Sequence, residues 1–144
     1  MRIGVPKEIK NHEYRVGMTP AAVRELTSRG HEVFVETMAG DGIGLGDETY
    51  TRVGAKILKT ADEVFANADM IVKVKEPQPV EIKRLTPKHT LFTYLHLAPD
   101  PEQTKGLLDS GAVCIAYETV TDRFGGLPLL APMSEVAGRM SIQA

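Results

Sequence analysis

The sequence predicts an α/β fold in which a mostly parallel sheet is covered by helices on both of its faces. The main observation is that strand-like apolar segments alternate with helical segments along all 144 residues. The second is the placement of helix signals. In the first helix Thr19 offers an N-cap hydroxyl, Pro20 takes the first position and Gly30 allows a left-handed end. A chain that is 42% hydrophobic and 25% charged suits a packed globular domain of this length.

The first half of the chain is predicted to hold three strand–helix units. Its predicted strands are Arg2–Pro6, Glu32–Glu36 and Ala55–Leu58. The helices that follow them span about residues 20–29, 48–53 and 60–68. Thr60 and Glu63 have the spacing of a capping box, which marks the start of the third helix.

Four glycines lie between the second strand and the helix after it. They are Gly40, Gly42, Gly44 and Gly46. Their spacing does not give G-x-G-x-x-G, and no Lys-Ser/Thr pair follows as in a P-loop. We therefore interpret this segment as a flexible turn before a helix capped by Asp47, and not as a nucleotide-binding loop.

The second half continues the alternation. Its predicted strands are Asp69–Lys75, His89–Leu97 and Ala112–Tyr117. Its predicted helices are Val80–Leu85 and a segment that runs from the cap Asp100, through Pro101, to Gly111, with a turn later at Arg123–Gly126. A last helix begins at Pro132 and shows no C-terminal cap signal before Ala144. We therefore expect residues 132–144 to begin a connecting helix and residues 1–131 to form the α/β domain.

Composition excludes several classes of protein. The net charge of −2 gives no reason to expect nucleic acid or an acidic membrane surface as a partner. The sequence has no 18-residue apolar run and no apolar signal segment at its amino end, so neither a membrane span nor secretion is predicted. The single cysteine, Cys114, fits a reducing cytoplasm. The four histidines lack metal-ligand spacing, so no metal site is predicted.

Polar side chains are predicted to meet at one edge of the sheet. The carboxyl ends of parallel strands lie together at the edge where α/β proteins bind ligands. The side chains expected there are Arg15 after the first strand, Lys73 and Lys75 in the fourth, Tyr94 and His96 in the fifth, and Glu118 after the last. Since arginine can bind a carboxylate through two hydrogen bonds, this set predicts a site for a small anion.

Each of these residues has a plainer explanation when taken alone. Arg15 is typical of a solvated loop charge, and Lys73 and Lys75 are typical of an exposed strand end. Tyr94 is typical of a core residue, and His96 is typical of a partly buried histidine with its hydrogen bonds made. Only their joint placement at one edge favours a functional site.

Four blocks of sequence resemble one known family. GVPKEIKNHEYRVGMTPAAVRELTSRG, at residues 4–30, resembles the amino-terminal signature shared by alanine dehydrogenases and the alpha subunit of nicotinamide nucleotide transhydrogenase. KVKEPQ at residues 73–78 and LFTYLHLAP at residues 91–99 resemble alanine dehydrogenase specifically. LAPMSEVAGRMSIQA at residues 130–144 is similar to the segment that leads into the family's interdomain helix.

The resemblance implies a reaction and the residues that perform it. The reaction is the reversible, NAD-dependent oxidative deamination of L-alanine to pyruvate and ammonia. Arg15 and Lys75 would hold the substrate carboxylate and keto oxygen, and Lys75 could also polarise the carbonyl. His96 would act as general acid and base, since a histidine titrates near working pH.

The resemblance also implies the surroundings of the substrate. The fold would be a Rossmann-like three-layer substrate domain. Tyr94 and Met133 would line the pocket beside the methyl group, and Ser134 would touch NAD. The resemblance further implies that the full-length protein assembles as a homohexamer.

The same resemblance implies that the family's NAD-binding domain, with its glycine fingerprint, would follow Ala144. We therefore expect an incomplete substrate domain that does not oxidise alanine on its own. Two alternatives stay open: a transhydrogenase alpha-subunit domain, against which Lys75 and His96 weigh, and a non-catalytic module that binds small acids.

Overall fold

The computed structural model describes residues 1–143, and within them it shows a six-stranded, all-parallel sheet. The strands are β1 Arg2–Val5, β2 Glu32–Glu36, β3 Lys56–Leu58, β4 Met70–Val72, β5 Thr90–Thr93 and β6 Val113–Ala116. Their order across the sheet is β3-β2-β1-β4-β5-β6. The order reverses between β1 and β4, so the crevice at their carboxyl ends is the place where such a sheet usually binds a ligand.

The helices alternate with the strands as predicted. They are α1 Pro20–Ser28, α2 Asp47–Thr51, α3 Ala61–Asn67, α4 Pro79–Ile82, α5 Pro101–Ser110 and α6 Ala131–Met140. Short 3₁₀ turns occupy Asp41–Ile43 and Tyr117–Thr119. The predicted α/β class is therefore confirmed, and the sheet proves to be wholly parallel.

Two apolar cores cover the two faces of the sheet. On one face Val23 of α1 and Tyr50 of α2 pack with β1 side chains such as Val5. On the other face Val64 of α3 packs with residues that include Leu107 of α5. Alternate residues of a strand point to opposite faces, and β4 accordingly contributes Val72 to the first core and Ile71 to the second.

Of the four predicted helix caps, two are confirmed in full, one is confirmed in position only and one is wrong. Thr60 forms the predicted capping box, and the Asp100 side chain caps α5. Thr19 occupies the N-cap position of α1, but its hydroxyl makes no capping hydrogen bond. Asp47 does not cap α2, whose N-cap is Gly46. The Asp47 carboxylate instead accepts hydrogen bonds from the chain after β2, which ties the glycine-rich turn to that strand.

The fourth and fifth strands are shorter than predicted. Strand β4 ends at Val72, level with the end of its neighbour β1. There the Val74 N–H donates to the Glu8 carboxylate and not to a strand, at 2.7 Å. Strand β5 ends at Thr93, so the segment that carries His96 is a loop. The candidate residues therefore lie on loops at the edge of the sheet.

Candidate functional site

A depression of about 300 Å³ lies at the carboxyl edge of the sheet, against the start of α6. Its lining is Arg15, Lys75, Tyr94, His96, Leu130, Met133, Ser134 and Ala137. We call it the edge depression. The six residues proposed for the site from the sequence all line it. They come from the loops after β1, β4 and β5 and from the first turn of α6.

A second, more apolar cleft of about 520 Å³ adjoins the edge depression and shares Arg15, Tyr94 and Met133 with it. We call it the inner cleft. Gly17 lines it where the chain passes very close to β4. A Cβ atom at this glycine would lie 2.5 Å from the Val72 carbonyl oxygen, so no larger residue fits without a backbone shift.

Arg15 is held at the rim by a two-point ion pair with Glu13. Nε and Nη2 donate to the two carboxylate oxygens, at 2.8 and 2.6 Å. The Arg15 side chain is 46% exposed, whereas that of Glu13 is only 6% exposed. The hydrogen bond from Arg15 lowers the pKa of Glu13, so both groups are charged at neutral pH. The guanidinium is therefore oriented before any ligand arrives.

The two lysines after β4 have different surroundings, so the alternative in which both mark an exposed strand end is wrong. Lys75 lines the edge depression and is partly exposed. The Lys73 side chain is fully buried, with Nζ 3.0 Å from Glu8 and 2.8 Å from Glu81. The Glu81 oxygen is close enough for an ion pair, but it makes no well-directed hydrogen bond. We call this group the Glu8–Lys73–Glu81 cluster.

The cluster joins three parts of the chain beneath the site. Glu8 follows β1, Lys73 follows β4 and Glu81 lies on α4. Burial raises the pKa of Glu8, and the charge of Lys73 opposes this effect. Because Lys73 also lines the inner cleft, the cluster forms part of its floor. Lys73 is thus a structural cation, and Lys75 is the lysine available to a ligand.

Tyr94 forms a rigid wall between the two depressions. Its hydroxyl donates to the Leu129 carbonyl oxygen, and its ring meets Tyr117 edge to face with 5.0 Å between centroids. Tyr117 packs in the same way on Phe92, at 4.3 Å. Burial raises the pKa of both tyrosines, so both phenols are neutral at physiological pH. Tyr94 therefore contributes shape, as the sequence-based assignment to the pocket lining requires.

His96 lines the edge depression together with Met133 and Ser134. Its ring is about half exposed and stacks on Tyr94, with 6.2 Å between centroids. Its backbone is left-handed, with φ of 47°. Two acidic residues lie near it: Glu118, which the sequence placed at this edge, and Glu76, which the sequence did not single out. The signal for Glu76 was its position directly after Lys75.

Within residues 1–143 no group of three or more His, Cys, Asp or Glu side chains is arranged to hold a metal ion. None of the helices in this range has the length and apolar character needed to cross a membrane.

The fold and the depression together define a Rossmann-like α/β domain with cations and an imidazole at its switch-point edge. Comparison with known families makes this specific. The chain belongs to the family described as alanine dehydrogenase/PNT, N-terminal domain, whose model matches residues 4–137.

Similar proteins support the alanine dehydrogenase branch of this family. The chain is 58% identical, over all 144 residues, to an alanine dehydrogenase of Halomonas elongata. A solved structure of an L-alanine dehydrogenase superposes with a TM-score of 0.94 and 50% identity over 99% of this chain. The structure of a transhydrogenase from Sinorhizobium meliloti superposes with a TM-score of 0.78 and is 28% identical over 85% of this chain. The chain spans 39% of the length of the first two proteins and 36% of the third.

Proposed function

We propose that this chain supplies the substrate site of an NAD-dependent alanine dehydrogenase, which interconverts L-alanine with pyruvate and ammonia. The observation that carries the proposal is the convergence of Arg15, Lys75 and His96 on one small depression. A further support is that the alanine dehydrogenases are more similar to this chain than the transhydrogenase is.

The two cations match the charged end of a 2-keto acid. Arg15 lies oriented at the rim and offers a planar donor for the carboxylate. Lys75 is a point charge that can bind the keto oxygen and stabilise negative charge developing on it. Tyr94 and Met133 line the same depression, and we assign to them the contact with the methyl group.

His96 is the acid and base of the proposed reaction. Its imidazole lies in the same depression as Lys75 and remains open to solvent, so it can exchange protons between turnovers. As a base it accepts a proton when alanine is oxidised, and as an acid it returns one to the keto oxygen in the reverse direction. Proton transfer by a positioned side chain typically contributes about 10²- to 10⁴-fold in rate.

NAD would take up the hydride. Ser134 fits a cofactor contact because it is an exposed residue that lines the edge depression, on the first turn of α6. We assign the main NAD-binding surface to a domain outside residues 1–144, with residues 132–144 leading towards it. Residues 1–131 are then the substrate-binding domain. A homohexamer in the cytoplasm belongs to the same proposal.

Calorimetry of pyruvate binding to the 144-residue chain tests the anion site. We expect Arg15→Ala and Lys75→Ala each to weaken binding by roughly tenfold or more, since each removes a charge-assisted hydrogen bond. Arg29→Ala is a matched control, because Arg29 also pairs with a nearby glutamate but lies on the exposed face of α1's end. Equal pyruvate affinity in all variants would contradict the assignment.

Turnover separates the remaining possibilities. In the protein as its own gene encodes it, we expect alanine-dependent reduction of NAD that His96→Asn lowers by at least about 10²-fold. Hydride exchange between two nucleotides without any alanine activity would indicate the transhydrogenase function. Pyruvate binding without either activity would indicate a non-catalytic binding module.

A further inference from the structure

Glu76 lies beside His96 with one oxygen of its carboxylate unused. Its side chain is 14% exposed, and Oε1 is paired with Lys10. Oε2 is buried and makes no hydrogen bond, yet it lies 3.7 Å from Nδ1 of His96. A buried carboxylate oxygen without a partner is costly, so an unused one that faces an imidazole needs an explanation.

The backbone around His96 is fixed by a different carboxylate. Glu118, in the 3₁₀ turn after β6, accepts hydrogen bonds from the N–H groups of Leu95 and His96, at 3.0 and 2.8 Å. These bonds support the left-handed backbone of His96, which is unfavourable for a residue with a side chain. The backbone that carries the imidazole is therefore held in place, and the remaining freedom of the side chain is the rotation of the ring.

Glu76 is placed to remove that freedom. The present gap of 3.7 Å is too long for a hydrogen bond, and a modest rotation of the ring closes it. Once Nδ1–H donates to Glu76, Nε2 becomes the nitrogen with the free lone pair. Since Glu76 lies on the β4 loop and Tyr94 stacks on the ring, Nε2 is directed away from Glu76, towards the depression.

We propose that Glu76, anchored by Lys10, is a positioning residue that holds His96 as the Nδ1–H tautomer with Nε2 facing the substrate. This inference rests on the proposed role of His96 as acid and base. Glu76 touches neither alanine nor pyruvate. The cations that face His96 across the depression, Arg15 and Lys75, are left to the substrate.

The tautomer can be measured without turnover. In the 144-residue chain labelled with ¹⁵N, the His96 ring signals are those lost in His96→Asn. We expect the neutral ring to show Nδ1 protonated, and Glu76→Gln to shift it towards the Nε2–H form that predominates in free histidine. Glu25→Gln is the control, because Glu25 is an exposed carboxylate on α1 that also pairs with a cation. An unchanged tautomer in Glu76→Gln would overturn the inference.

Kinetics of the gene-encoded protein provide the second arm. Glu76→Gln should lower kcat by roughly tenfold and leave KM for pyruvate within about threefold, because the groups that bind the carboxylate are untouched. Glu76→Asp should restore part of kcat. A rise in KM alone would overturn the inference. If His96→Asn itself leaves turnover intact, the proposed function of His96 is wrong, and the ring tautomer still decides whether Glu76 positions it.

Discussion

Replacing Lys73 by methionine should leave the buried carboxylates of Glu8 and Glu81 without the cation between them. The Lys73 side chain is 0% exposed, and those of both glutamates are 2% exposed. Methionine has a similar length and shape, so the change removes the charge with little loss of packing. Removing one partner of a buried ion pair typically costs about 3–5 kcal/mol, and we expect a loss in that range at pH 7.

The cost should depend on pH in a defined direction. Burial already raises the pKa of Glu8, and the loss of Lys73 should raise it further. A carboxyl group whose pKa is raised by folding contributes stability that is present below its unfolded pKa and is lost as pH rises through the folded pKa. The penalty of Lys73→Met should therefore shrink as pH falls towards 4.5, the ordinary value for glutamate.

Urea unfolding of the chain, followed by circular dichroism, measures both effects. Lys56→Met is the matched control, because Lys56 pairs with Glu32 at 2.8 Å on the exposed surface, where its loss should change little. The triple variant with glutamine in place of Glu8 and Glu81 should recover most of the lost stability. A loss below about 1 kcal/mol at pH 7, or a loss that does not shrink in acid, would refute the reasoning.

Three further changes test other parts of the fold. Thr60→Ala removes the hydroxyl that accepts a hydrogen bond from the Glu63 N–H, and this should lower the free energy of unfolding in urea by about 1 kcal/mol. Gly17→Ala places a Cβ 2.5 Å from the Val72 carbonyl oxygen, so we expect a loss of about 1–3 kcal/mol together with weaker pyruvate binding. Arg2→Ala should move the pKa of Asp69 from about 2 back towards 3.8, as seen by carbon NMR of the carboxyl group, because the Arg2 hydrogen bond lowers it.

These three predictions have their own controls. Gly138→Ala in α6 meets no atom within 4 Å, so it should not lower stability, and an equal loss at Gly17 and Gly138 would contradict the steric argument. Asp69 contributes stability that is present above its ordinary pKa and lost as pH falls through about 2. If the stability of the wild type did not fall between pH 3.8 and about 2, the Arg2–Asp69 contact would be contradicted. If Thr60→Ala left the free energy of unfolding unchanged, the capping box would be contradicted.

The helix starts show how far local signals reach. Thr60 was predicted as a cap from Glu63 three residues later, and Asp100 from Pro101 directly after it, and the structure confirms both. Asp47 was also predicted as a cap, but its carboxylate is used by residues near the end of β2. A local pattern cannot reveal such a competing partner, since the alternative hydrogen bonds form only when the glycine-rich turn folds back.

The site likewise contains residues that sequence patterns predicted and one that only the folded chain revealed. The convergence of Arg15, Lys75, Tyr94 and His96 followed from the rule that parallel strands end at one edge, and all four line the edge depression. Glu76 was missed, because a glutamate beside a lysine usually forms a surface pair. Its relation to His96 depends on the loops after β4 and β5 lying side by side.

The sequence by itself determined the alternation of strands and helices, and with it the edge at which the candidate side chains gather. Those features depend on apolar periodicity and on caps within a few residues. The resemblance named Lys75 for the substrate, but only the tertiary structure showed why Lys73, two residues away with the same side chain, has a different role. The difference arises because a buried ammonium group needs carboxylates around it, and the glutamates that surround Lys73 come from β1's loop and from α4.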